Sequence, residues 1–146
     1  MVPEAEEELM QAIRDAEKLH GHLGPFLVIG TRMGKMAQMD LHVSGNENKL
    51  QIVARTPPST PFTCVVDGIQ STTKCTVGNQ KLRIENSNEI AASFTLQDTH
   101  KSLNISLNPQ VTEDLMKKIS ESRSAEELAW EIARTPEARL FSVERR

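Results

Sequence analysis

From Leu82 to Leu107 apolar and polar residues alternate, interrupted only by short turn sequences. Leu82 and Ile84 alternate with Arg83 and Glu85; Ile90, Ala92, Phe94 and Leu96 alternate with their polar or small neighbours; Leu103, Ile105 and Leu107 do the same after Asp98-Thr99-His100-Lys101. A period of two puts every apolar side chain on one face of a strand, so this stretch must be covered on that face and left polar on the other. It reads as a three-stranded antiparallel meander. An earlier alternation at Leu50, Ile52 and Ala54 marks another strand.

The remaining segments carry helical spacing and supply the cover. Residues 3–20 have Pro3 at the start, acidic residues in the first turn, and Leu9, Ala12, Ile13 and Ala16 on one face. A second helix runs from Pro25 to about Met39, and Leu27 and Val28 make its first turns apolar all round, the mark of a helix buried on several sides. Gly30 and Gly34 lie four apart and fit close packing of another backbone. Residues 44–48 form a turn cluster, and Thr56 to Pro61 an extended loop. Thr60 as N-cap and Pro61 at the first position then open a third helix. Pro109 opens a fourth, and Ser124 with Glu127 gives a capping-box pattern for a fifth, ended by Thr135-Pro136. The order is α-α-β-α-β-β-β-α-α, an α+β fold with helices over an antiparallel or mixed sheet. Residues 1–146 are expected to form one domain, with the tail 136–146 loose or docked through Leu140 and Phe141 on the body or a partner subunit.

Composition excludes several functions. Seventeen basic residues against 20 acidic ones give a net charge of −3, against the basic excess of a nucleic-acid binder. Aromatic residues make up 3% and tyrosine is absent, which argues against stacking of bases. With two cysteines, a disulfide framework and a four-cysteine zinc ribbon are both out of reach. No apolar run approaches a membrane span, and the acidic N-terminus is no signal peptide. A cytoplasmic protein with neither nucleic-acid nor membrane partners is expected.

Two patches carry side chains with chemistry. In His20-Gly21-His22-Leu23-Gly24-Pro25 the histidines are two apart, which on a continuous helix points them about 200° away from each other. They converge only if Gly21 breaks the helix; otherwise they are solvated or capping groups. The second patch begins at Cys64, which falls in the first turn of the third helix, where the dipole and unpaired N–H groups lower a thiol's pKa. Asp67, Gly68 and Ser71 follow on the same face, with Gln70 off to one side. Such a face is either a ligand or nucleophile wall, or a small buried cysteine with Asp67 tying down a loop. Cys75 lies roughly 16 Å further along a continuous helix, too far to share a metal or a disulfide, and is read as structural. His42 and His100 are read as solvent-exposed loop residues.

His20-Gly21-His22-Leu23-Gly24-Pro25 with Ile29 to Gly34, followed by Cys64 to Gln70 and Cys75 to Asn79, resembles the two signatures of the FmdE-like (FwdE-like) proteins associated with formylmethanofuran dehydrogenase, in the same order. The resemblance runs from about Leu9 to at least the end of the meander. It implies an α+β domain that forms homodimers and binds a metal, zinc or another divalent ion. It points to His22 and Cys64 as ligands, with His20 a lesser candidate, and to Asp67, Gln70, His20 and Gly24 as pocket residues. No molybdenum or tungsten cofactor is expected on this chain alone. The family commonly has cysteine where this chain has Gly24, so the site is one sulfur short. No cysteine follows Cys75, so only the core domain is expected, without the C-terminal zinc ribbon of larger members.

Three readings follow. The chain is a metal-binding accessory or small-ligand-binding protein with an open His/Cys site. Alternatively it is a small enzyme in which Cys64 as nucleophile, or a metal-activated water, attacks a formyl or amide group with Asp67 or a histidine as acid/base. Or it is a dimerisation module whose metal site has decayed. The apolar second helix and the Leu140-Phe141 tail offer surface beyond one core, a motive for expecting the homodimer.

Overall fold

A computed structural model describes residues 4–43 and 49–146. Pro3 and the turn cluster at 44–48 lie outside the described residues. The elements are α1 (Glu4–His20), α2 (Pro25–Asp40), β1 (Leu50–Thr56), α3 (Cys64–Thr73), β2 (Leu82–Asn86), β3 (Ala91–Leu96), β4 (Ser102–Leu107), α4 (Pro109–Ser120), α5 (Ala125–Arg134), α6 (Glu137–Leu140) and β5 (Phe141–Arg145). The expected α+β class holds, and the sheet is mixed.

Strand order departs from a simple meander. The five-stranded sheet runs β2-β1-β3-β4-β5. β3 and β4 form the expected antiparallel pair, but β1 inserts between β2 and β3, pairing parallel with β2 and antiparallel with β3. Alternation fixes which face of a strand is buried; it carries no information on which neighbour the strand chooses. The parallel pair needs a crossover, and α3 is that crossover. Register aligns Ile52, Phe94 and Leu103 in one buried row and Ala54, Ala92 and Ile105 in the next. On the opposite face Arg55 donates to Ser93 at 2.8 Å, and Ser93 to Asn104.

The tail is not loose. It forms α6 and then β5, which extends the sheet against β4, and Leu140 and Phe141 are buried in the chain's own core. The first turns of α2 are equally buried, with Phe26, Leu27, Val28 and Ile29 all enclosed. Both apolar segments that suggested a homodimer are therefore consumed internally, and that expectation rests on the family resemblance alone.

α2 and α3 cross at glycine contacts. A Cβ built at Gly30 would lie 2.0 Å from the Val65 carbonyl oxygen, and one at Gly68 would lie 2.2 Å from that of Leu27. Real carbon atoms do not approach so closely, so each helix packs directly on the other's backbone. Gly34 meets the side chain of Thr72 in the same way. α5 is tied to this pair by Arg32, whose guanidinium donates to the carbonyl oxygens of Ile132, at 2.8 Å, and Thr135 near the end of α5. Burial pushes the Arg32 pKa down, opposed by the charge of Glu137.

Candidate metal centre

α1 ends at His20 because Gly21 adopts φ +100°, a left-handed conformation that glycine takes without strain. The Gly21 N–H still closes on the Glu17 carbonyl at 2.7 Å. Gly24 is then extended and serves as N-cap of α2, with Pro25 in its first turn. The break that would let the two histidines converge is present: their ring centroids are 4.4 Å apart.

Cys64 comes from the start of α3, three residues later than the expected opening at Pro61. Residues 60–63 are a turn, and the Cys64 N–H bonds the Pro61 carbonyl at 3.1 Å. The glycine contacts between α2 and α3 bring this end of α3 beside the α1–α2 break. One ligand atom each from His20, His22 and Cys64 lies within 4.8 Å of the others.

The sequence ranks His20 below His22, whereas the structure brings both into one cluster with Cys64. His20 Nδ1 lies 2.7 Å from Asp67 Oδ2. Its Nε2 is buried and has no hydrogen-bond partner. A buried ring nitrogen without a partner is costly unless something else binds it. A carboxylate only accepts, so the contact puts a proton on Nδ1 and, in the neutral ring, leaves the lone pair on Nε2, the usual support of a metal-ligating histidine. Asp67 Oδ1 in turn accepts from Gln70 Nε2 at 3.1 Å, and Gln70 Oε1 accepts from the Val77 N–H at 2.9 Å. Gln70, placed to one side by helical spacing, thus belongs to the support of His20. Gly68 points at α2 instead of sharing a ligand wall.

The expected lowering of the Cys64 pKa is reversed. Burial pushes the thiol up, the negative charge of Asp67 pushes it further, and only a backbone hydrogen bond opposes them. The helix end does not make a free thiolate here. A bound cation would, because it favours the deprotonated sulfur directly. The donor set of one thiol and two imidazoles therefore fits a borderline-soft divalent ion such as zinc. Cys75 is buried elsewhere, its Sγ 3.6 Å from the Leu50 carbonyl oxygen, in keeping with its structural reading. His42 and His100 are exposed.

The cluster opens into a cleft of about 490 Å³. Gly24 lines it, and Pro25, Phe26, Pro61, Ile119 and Ala125 form apolar wall. Phe62 stacks edge-on against Phe26 at 5.5 Å. Ile119 and Ala125 come from α4 and α5, far along the chain, and no local sequence signal identifies them as wall residues.

Comparison with known proteins agrees with the fold. A crystal structure of a tungsten formylmethanofuran dehydrogenase FmdE-like protein from Syntrophus aciditrophicus shares the fold, with a TM-score of 0.64 at 17% identity over 94% of this chain and 71% of that one. A probable S-adenosyl-L-methionine-binding protein of Archaeoglobus fulgidus is 35% identical over 81 residues, which is 51% of this chain. That alignment spans only 20% of the relative's length. Residues 19–142 match the family described as "FmdE, Molybdenum formylmethanofuran dehydrogenase operon". The family match begins at the end of α1 and reaches into β5, so it takes in the histidine break, the Cys64 helix and strands β1 to β4, and the chain belongs to the FmdE family.

Proposed function

We propose that this chain is a metal-binding FmdE domain that holds a divalent ion, zinc foremost, with His20, His22 and Cys64, and acts as an accessory or small-ligand-binding protein. The observation that carries this reading is His20 Nε2: buried, without a partner, and presented by a carboxylate on the opposite ring nitrogen. When bound, such an ion supplies Lewis acidity. The chain's own residues do the rest. Asp67 sets the proton on His20 Nδ1, Gln70 holds Asp67, and apolar cleft walls flank the donors on one side.

Binding is favoured over nucleophilic catalysis by Cys64 itself. Its raised pKa keeps the metal-free thiol protonated at neutral pH, which is the wrong state for attack. The relative from Archaeoglobus fulgidus, named as a probable S-adenosyl-L-methionine-binding protein, agrees with a small-ligand role. The assembly proposed is a homodimer, on the family resemblance, and the location proposed is the cytoplasm, on the low cysteine count; among the described residues no helix is long and apolar enough to cross a membrane.

The test is metal analysis of protein purified under reducing conditions, followed by zinc titration against a chelator. Near one equivalent of zinc, lost in Cys64→Ser and in His20→Ala, is expected. A wild-type protein that takes up no divalent ion overturns the reading.

A further inference from the structure

We propose that the cleft beside His20, His22 and Cys64 takes an uncharged small molecule with an apolar body and a single neutral donor head that faces the cluster. The inference rests on the metal reading above and adds the chemical class of the ligand. Three observations carry it.

The first is the lining. A cleft of about 490 Å³ falls in the roughly 300–1,000 Å³ range of small-molecule sites. Outside the His/Cys cluster, among the described residues, only Thr60 and Arg123 bring polar side-chain groups to it. A polar ligand body would lose its hydration here and find few partners in return.

The second is that the cation at the cleft is already compensated. Arg123 is answered by Glu131 at 2.9 Å and by Glu127 at 4.0 Å. The nearby start of α5 is already capped by Ser124 and carries Glu126 and Glu127 in its first turn. An anionic tail would have to compete with these carboxylates, one of which, Glu131, Lys118 also contacts at 3.4 Å.

The third is charge at the cluster. A divalent cation, the Cys64 thiolate and the Asp67 carboxylate sum to zero. An anionic head would leave a net negative charge in an apolar cleft, and a cationic head would repel the ion. A neutral nitrogen, sulfur or carbonyl donor leaves the balance undisturbed.

The experiment uses the full chain loaded with cobalt(II), whose visible absorption reports changes at the metal, at pH 8. Three probes share one donor: imidazole, 4-(4-fluorophenyl)imidazole and 4-(4-carboxyphenyl)imidazole. The fluorophenyl probe is expected to bind at least tenfold tighter than imidazole, and the carboxyphenyl probe no tighter than imidazole. Ile119→Asp, which makes a wall polar, and Ala125→Trp, which fills the cleft, are each expected to remove the gain while cobalt uptake is unchanged. Equal affinity for all three probes, with cobalt bound, overturns the inference and leaves the metal reading standing. If the protein takes up no cobalt, the metal reading fails. Fluorine NMR of the fluorophenyl probe with the metal-free protein then decides the apolar-ligand assignment separately. A broadened line restored by Ala125→Trp supports it, and a sharp, unshifted line overturns it.

Discussion

His20 Nδ1 and Asp67 Oδ2 sit 2.7 Å apart across 47 residues of sequence, joining the last residue of α1 to the first turn of α3. The contact decides which ring nitrogen of His20 is left to bind. Replacing Asp67 by Asn keeps the shape and removes the charge. Asp67→Asn is expected to weaken zinc binding by about 10- to 100-fold, the usual cost of losing such an outer partner. Gln70→Ala, one step further out, is expected to cost less. Competition against a chromogenic chelator measures both.

Gly24 is the place where the family resemblance leads one to expect a further cysteine, and nothing there prevents a side chain. Its backbone is extended, and a Cβ built on it meets no atom within 4 Å. Gly24→Cys is expected to fold normally and to hold cobalt(II) more tightly, with a stronger thiolate-to-metal absorption band. An unchanged cobalt spectrum would place position 24 outside reach of the ion.

The glycines of the α2–α3 crossing respond differently from the others. Gly30→Ala and Gly68→Ala each drive a methyl group into backbone, which cannot swing aside, and each is expected to destabilise the fold by about 3 kcal/mol. Gly78→Ala is the control: its nearest neighbour is Thr76 Oγ1 at 3.8 Å, and little change is expected. Urea denaturation followed by circular dichroism separates them.

Cys75 makes stability depend on alkaline pH. Burial pushes its thiol up, opposed by the Thr73 hydroxyl and the charge of Lys81. The folded state therefore keeps its proton after the unfolded chain, with an ordinary thiol pKa of about 8.5, has lost it. The unfolded state then binds fewer protons, so stability falls as pH rises above about 8.5. Cys75→Ala is expected to flatten this fall, read as melting temperature from pH 7 to 10 on the metal-free protein.

Much of this is legible in the sequence because it is local. Gly21 announces the helix break, Pro109 and Ser124 the starts of α4 and α5, and alternation the buried faces of β1, β3 and β4. What a sequence cannot carry is pairing at a distance. The insertion of β1 beside β2, the descent of Ile119 and Ala125 onto the cleft, and the reach of Gln70 to Asp67 all depend on how elements dock. The Cys64 pKa departs from expectation for a related reason. A helix start favours thiolate, but here burial and the charge of Asp67 outweigh the backbone hydrogen bond that lowers the Cys64 pKa.

α1 is seated more lightly than α2 or α3, with Ile13 and Ala16 its only buried residues among those described. Yet it contributes His20, while Cys64 belongs to α3, which links two neighbouring strands of the sheet. Anything that grips both residues fastens a lightly seated helix to a firmly packed one. Occupancy and the closure of α1 are thereby linked, each favouring the other. The centre is a latch as well as a binding site, and amide exchange along α1 would serve as its gauge.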